Sequence, residues 1–139
     1  MKPIVKNIIG VVTGLIVGNV INLTLVQLGS SILPIPGVDP NDLEALAEAA
    51  PNLEAKYFIF PFLAHALGTL SGAFITALIA ASYKRNLAML IGVFFLLAGI
   101  AVNFMVPGPF WFSAVDILLA YLPMAWLGYR LALRLQKKK

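Results

Sequence analysis

The chain contains no cysteine and a single histidine. The first absence excludes disulfides, thiolate nucleophiles and thiolate metal sites. The second excludes the usual imidazole clusters around a metal. Acidic residues are scarce, six in 139, and all charged residues together make up 12% of the chain. A soluble domain carries about 25%. The charges also leave long gaps: none falls between Lys6 and Asp39, between Lys56 and Lys84, or between Arg85 and Asp116. Each gap holds one apolar span of about 20 residues, and the third feeds a fourth.

What fills the gaps is 60% hydrophobic sequence overall. The pattern predicts an all-α protein, an integral membrane four-helix bundle occupying residues 1–139 as one domain. The helices are expected near 8–29, 57–83, 86–106 and 110–133. Pro61 falls in the first turn of the second span, where proline is tolerated, and Pro107-Gly108-Pro109 forces a tight turn before the fourth. Lys2 and Lys6 resemble the basic start of a signal peptide, but the apolar run after them is too long and lacks a small-residue cleavage site. The first helix is therefore expected to be retained.

Lysine and arginine set the expected orientation. Lys2, Lys6, Lys84, Arg85, Arg130, Arg134 and Lys137 to Lys139 fall on one side, and only Lys56 on the other. Asp39, Asp42, Glu44, Glu48 and Glu54 fall with Lys56. Both termini are expected inside and the long loop 30–56 outside, in a cell inner membrane. Tyr57, Phe58, Phe60 and Phe110-Trp111-Phe112 would mark the outer interface, Tyr83 and Tyr129 the inner one. The loop should carry a short amphipathic helix, capped by Asp39, with Pro40 at its first position and Pro51 at its end. Leu43, Leu46, Ala47 and Ala50 share its apolar face, which suits either the membrane surface or an acidic lid.

Asp116 is the lone acid within the spans. A carboxylate at a membrane helix centre costs roughly 2.5–3.5 kcal/mol on insertion scales, so it calls for a partner or a use. At 100° per residue, His65, Gly68, Thr69, Gly72 and Thr76 share one stripe of the second helix. Asn22 lies with Val11, Gly18 and Asn19 on the first, and Asn103 with Gly92, Leu96 and Gly99 on the third. Asp116 lies with Ser113, Ala120, Pro123 and Leu127 on the fourth. Small residues let helices approach and polar ones bond across the contact, so the stripes should face one another. A rise of 1.5 Å per residue puts His65, Asn22, Asn103 and Asp116 roughly 5–12 Å inside the outer ends of their helices. One polar cluster in the outer half is expected: Asn19, Asn22, His65, Thr69, Asn103 and Asp116. Gly10, Gly14, Ala80, Gly92 and leucines would fill the inner half. Gly10, Gly14 and Gly18 form a GxxxGxxxG run that marks close packing within the bundle or between copies.

For the asparagines the residue type points to structural hydrogen bonding. His65 and Asp116 admit two uses, the same structural role or passage of a proton or cation. Pro123 removes the hydrogen bond to the Leu119 carbonyl, by a simple kink or beside a cavity. Two hairpins share a pattern: GxxxN closes the outgoing helix at Asn22 and Asn103, and F-x-F-x-A precedes His65 and Asp116 on the return. Chance similarity or a parallel internal repeat would account for it.

Several patches carry a resemblance. They are Gly18-Asn19-x-x-Asn22, the loop Pro34-x-Pro36-Gly37-Val38-Asp39-Pro40, the turn Pro107-x-Pro109-x-Trp111-Phe112 and the run Pro123-Met124-Ala125-Trp126-Leu127-Gly128. Together they resemble small four-helix bacterial inner-membrane proteins of unknown function, and the resemblance implies the topology alone. Small multidrug exporters need a carboxylate in the first helix, where this chain has only Asn19 and Asn22. With no reaction motif, no cofactor motif and no nucleic-acid signal, the chain is expected to be non-catalytic. Its expected partners are the lipid bilayer and either further copies or other membrane subunits. A proton-linked or cation or small-solute transporter built on Asp116 and His65 is the alternative.

Overall fold

The computed structural model describes residues 1–138. It is all-helical, with no strand among the described residues. Four stretches are long and apolar enough to cross a membrane: Pro3–Ile32, Ala55–Ile79, Lys84–Met105 and Phe110–Lys137.

Helix α1 spans Pro3–Ile32, longer than expected at both ends. Pro3 has the φ a first helical residue needs, and Lys2 before it is extended. Past Gly29, the Ser30 and Ser31 hydroxyls donate to the Val26 and Gln27 carbonyls, each at 3.1 Å, so polar residues sit comfortably in the last turn. In the loop that follows, helix α2 runs Leu43–Ala49. Its cap is Asp42, not Asp39: the Asp42 carboxylate accepts from the Glu44 and Ala45 N–H groups at 3.0 and 3.1 Å. Asp39 instead holds the turn before it, accepting from the Asn41 N–H at 2.9 Å. Pro40 lies in the turn before the helix and not at its first position, whereas α2 ends at Ala49, just before Pro51 as expected. Pro51 sits inside a short 3-10 turn, Ala50–Asn52, and a second such turn, Ala55–Phe58, leads into the next helix.

Helix α3 spans Ile59–Ile79 and ends four residues before the expected Tyr83. Residues 80–83 form a turn because Asn7 of α1 reaches across to cap it. The Asn7 carbonyl oxygen accepts from the Ala81 and Ser82 N–H groups at 3.0 and 3.2 Å, and its amide donates to the Ser82 hydroxyl at 3.0 Å. Tyr83 takes left-handed backbone, φ 51°. Helix α4, Lys84–Met105, starts at once, and the Lys84 ammonium returns to the Ala77 carbonyl at 2.9 Å.

The expected fourth helix is two: α5, Phe110–Leu119, and α6, Leu122–Lys137. Pro123 cannot donate to Leu119 and its ring crowds that carbonyl, so α5 stops there. The break also resets the helical phase. Pro123 and Leu127, placed on the stripe of Asp116 by an unbroken wheel, are exposed. The buried residues of α6 are Ala125, Gly128 and Ala132.

Helix α3 is the hub, packed against α1, α6 and α4. Along α1 the row Gly10, Gly14, Gly18 lies on Gly68, Gly72 and Thr76 of α3. A Cβ at Gly72 would stand 2.8 Å from the Gly14 carbonyl, and one at Gly18 2.8 Å from the Gly68 carbonyl. The Thr76 hydroxyl donates across this contact to the Gly10 carbonyl at 3.1 Å. Gly92 and Gly99 serve α4 the same way, against Ala125 and the Tyr121 ring. Gly128, absent from the expected packing residues, seats α6 on the Leu70 carbonyl of α3. Toward the basic end, alanines fill the core where leucines were expected: Ala73, Ala77, Ala88, Ala125 and Ala132 surround Ile91. Helices this close keep leucine to the margin of the core, where Leu15, Leu78 and Leu96 pack against it, while Leu90, Leu97, Leu118 and Leu135 face outward.

Candidate functional site

The break between α5 and α6 places two residues against α3. Asp116, three residues before the end of α5, is fully buried. Tyr121, in the break itself, is 1% exposed. His65 of α3 meets both. Its Nδ1 is hydrogen-bonded to Asp116 Oδ1 at 2.8 Å. The Tyr121 hydroxyl donates to Asp116 Oδ2 at 3.0 Å. The His65 and Tyr121 rings stack with centroids 5.8 Å apart and planes at 27°. Both carboxyl oxygens are thus engaged, which is the condition for holding an acid in such a place. The Thr69 hydroxyl, one turn along α3, is spent on the His65 carbonyl at 2.8 Å.

The remaining expected cluster members divide. Asn103 and Ser113 form a separate pair: the Ser113 hydroxyl donates to the Asn103 carbonyl oxygen at 2.6 Å, and the Asn103 amide donates to the Gly99 carbonyl at 3.3 Å. Asn22 is level with the site, its Cβ 3.1 Å from where a Gly68 side chain would begin. Its side-chain oxygen is sealed and has no hydrogen-bond partner among the described residues. Asn19 does not belong. It is exposed and donates to the Leu15 carbonyl on its own helix at 2.9 Å. The physical reason is that α1 meets α3 along Gly10, Gly14 and Gly18, and Asn19 lies 100° around the helix from Gly18.

Tyr121 is the member of this cluster that sequence reasoning missed. A signal existed: a tyrosine two residues before a helix-breaking proline, in a span with one acid, needs a partner for its hydroxyl.

Above the triad lies a cavity of about 350 Å³. Val26, Gly29 and Ser30 of α1 wall it on one side and Val102 and Val106 on another. Phe60, Pro61 and His65 of α3, with Phe112 of α5, complete the walls. The roof is the loop 33–58, which supplies Leu33, Ile35, Val38, Leu43, Leu46, Ala50, Leu53, Tyr57 and Phe58. The apolar face of α2 therefore covers the end of the bundle. Asp39, Asp42, Glu44, Glu48 and Glu54 remain exposed on the other side of the roof. Phe58 anchors the roof, its ring centroid 4.6 Å from that of Phe112 and 5.6 Å from that of Trp111.

His65 is the junction of cavity and triad. Its side chain is 18% exposed and lines the cavity, whereas Asp116 does not. It sits about 9 Å along α3, among the deepest of the lining residues. Nδ1 is taken by Asp116, and Nε2 has no partner among the described residues. The arrangement is an apolar chamber with one imidazole edge at its floor, fixed from behind by a buried acid. Below the triad the core is packed with buried alanines around Ile91.

No protein-family model matches the chain, and no curated protein and no solved structure matches it.

Proposed function

We propose that the chain is a non-catalytic inner-membrane protein that binds an apolar small molecule in the outer half of its bundle. The single observation that carries this reading is the roofed cavity with His65 at its floor. Its volume, about 350 Å³, falls in the range of ligand pockets, roughly 300–1,000 Å³. Its lining also fits that class: mostly aliphatic and aromatic, with a few polar side chains, Ser30, Tyr57 and His65. In this reading Asp116 and Tyr121 position His65, and His65 meets the ligand. The remaining apolar surface, such as Ile16, Val20, Leu23, Leu97 and Leu118, faces lipid, further copies or other membrane subunits.

Saturable binding of an apolar fluorescent probe to the purified protein in nanodiscs tests the reading. Val106→Trp fills the cavity from its wall. It is expected to remove most saturable binding while the thermal unfolding curve stays close to wild type. Unchanged binding in that variant overturns the reading.

The orientation belongs to the same proposal. Among the described residues, eight basic ones at one end and five exposed acids at the other support termini inside and roof outside. Cysteines introduced at positions 45 and 137 of this cysteine-free chain are then expected to react with impermeant maleimides from opposite sides of intact cells. Reaction of both from outside overturns it.

A transporter remains the second reading, and one observation favours it. The helix carrying Asp116 breaks at residues 120–121, directly beside the site, and broken helices are where transporters place their substrates. It requires a route past the packed alanine core. Uptake of solute into proteoliposomes that is lost in Asp116→Asn, with the fold retained, would select it over binding alone.

A further inference from the structure

Among the described residues, the helical walls of the cavity leave one seam open. Between α1 and α3 the seam is shut at Gly29, where the Phe60 side chain fills the space a Cβ would take. Between α3 and α5 it is shut by the Phe58 and Phe112 rings, 4.6 Å apart, and by His65 on Asp116. Between α4 and α5 the Ser113 hydroxyl donates to the Asn103 carbonyl oxygen at 2.6 Å. Helices α1 and α4 meet deeper in the bundle, where the Phe95 ring stands against Gly18. About two turns further along α1 is Val26. Val26 and, facing it on α4, Val102 both line the cavity, yet they are 37% and 46% exposed. A residue that lines a cavity and also faces outside marks its mouth. The slot between α1 and α4 is that mouth.

We infer that the cavity takes the hydrocarbon chain of a zwitterionic phospholipid, which enters sideways between α1 and α4 from the leaflet on the roof side. Both helices are long and apolar enough to span the bilayer, so acyl chains are what stands outside the slot. Val26, Val102 and Val106 make its rim apolar. The Ser30 hydroxyl in the α1 wall is already spent on the Val26 carbonyl at 3.1 Å. No Asp, Glu, Lys or Arg lines the cavity, so the chain goes in and the headgroup stays out. Above the slot, the exposed lining residues of the roof are Pro34, Pro40 and Leu43, which are apolar too. In sequence they alternate with the exposed acids Asp39, Asp42 and Glu44, which repel an anionic headgroup and tolerate a zwitterionic one. The inference deepens the binding reading and rests on it. It requires no particular protonation of His65, whose ring is the floor that the chain end meets.

Native mass spectrometry of the full chain in a mild detergent tests this. After incubation with dioleoyl-phosphatidylcholine, the protein is expected to retain a single lipid through detergent exchange, and to retain dioleoyl-phosphatidylglycerol less well. Val106→Trp, which fills the cavity, should lose the retained lipid while its unfolding midpoint stays close to wild type. For the route, Val26→Cys and Val102→Cys are combined in this cysteine-free chain and joined by a short bismaleimide. The bridge is expected to slow lipid uptake by about tenfold or more, relative to the same protein left unbridged. Three results each overturn the inference: equal retention by wild type and Val106→Trp, better retention of the anionic lipid, or uptake that the bridge leaves unchanged. If the apolar fluorescent probe still binds saturably in such a case, the cavity is a binding site for another apolar molecule. If neither lipid nor probe binds, both readings fail.

Discussion

Gly14→Val is expected to separate α1 from the rest of the bundle. A Cβ at this position runs into the Thr76 hydroxyl and stands 2.5 Å from the Gly72 carbonyl, far inside ordinary contact. Neither neighbour can yield. The Gly72 carbonyl is helix backbone, and the Thr76 side chain is buried and bonded to the Gly10 carbonyl at 3.1 Å. The only relief is outward movement of α1, which has few other contacts to fall back on, since it packs chiefly against α3. Overpacking of a tight core costs about 1–3 kcal/mol, and two extra methyl groups beyond the Cβ place Gly14→Val at or above the upper figure. Gly14→Ala should sit lower in the same range. The check is the unfolding midpoint in a mild detergent series, with Val12→Ala on the exposed face of the same helix as the control. Equal stability of Gly14→Val and wild type would mean that the glycine contact holds nothing together.

That contact was legible in the sequence, and the reason is general. A glycine row at i, i+4, i+8 has no purpose on a lipid face, and the stripe of His65, Gly68, Thr69, Gly72 and Thr76 is its natural complement. The four spans were legible for a similar reason, because charge-free gaps of that length have few other uses. Three things were not. The wheel treats a helix as unbroken, so it carried the phase of Asp116 through Pro123 to Leu127, whereas the break turns Ala125, Gly128 and Ala132 inward instead. The same geometry hid Asn19, which shares the sector of Asn22 but lies beyond the edge of the glycine row. The cavity was the third. Periodicity identified the apolar face of α2, but a helix of seven residues satisfies that face on a membrane surface or on the bundle alike. What decides between them is the packing of Phe58 on Phe112 and Trp111, contacts between residues more than 50 positions apart that no local pattern encodes.

The pairing of His65 with Asp116 stands between these cases. Stripes and depth brought both to one level, and the 2.8 Å contact follows from that. What the stripes omitted is the third member. Tyr121 lies five residues after Asp116, a spacing that points away on an unbroken helix, and only the turn at residues 120–121 swings it back. The break that Pro123 imposes is thus what completes the coordination of the acid. Proline here is part of the site's construction, whatever motion it also permits.

The triad's energetics give the largest expected effect in the molecule. Asp116→Ala removes the partner of two buried groups at once, the Tyr121 hydroxyl and His65 Nδ1. Stripping one member from a buried charged pair costs about 3–5 kcal/mol, mostly from the donors left unpaired. Tyr121 is 1% exposed and wedged against Gly99, so its hydroxyl has no path to water. His65 is less confined, since its ring also reaches the cavity. Tyr121→Phe removes one donor and strands one acceptor, the buried Asp116 Oδ2, and should cost about 1–3 kcal/mol, less than losing the acid that serves two donors. The order Asp116→Ala above Tyr121→Phe follows from how many groups are left stranded. The double variant Asp116→Ala with Tyr121→Phe should then be more stable than Asp116→Ala alone, because the second change removes a buried donor that the first has orphaned. Midpoints of the four proteins in one detergent, taken as a cycle, measure that coupling directly. Additive losses would show that Tyr121 and Asp116 act independently, and that the hydroxyl at 3.0 Å contributes nothing to holding the acid in place.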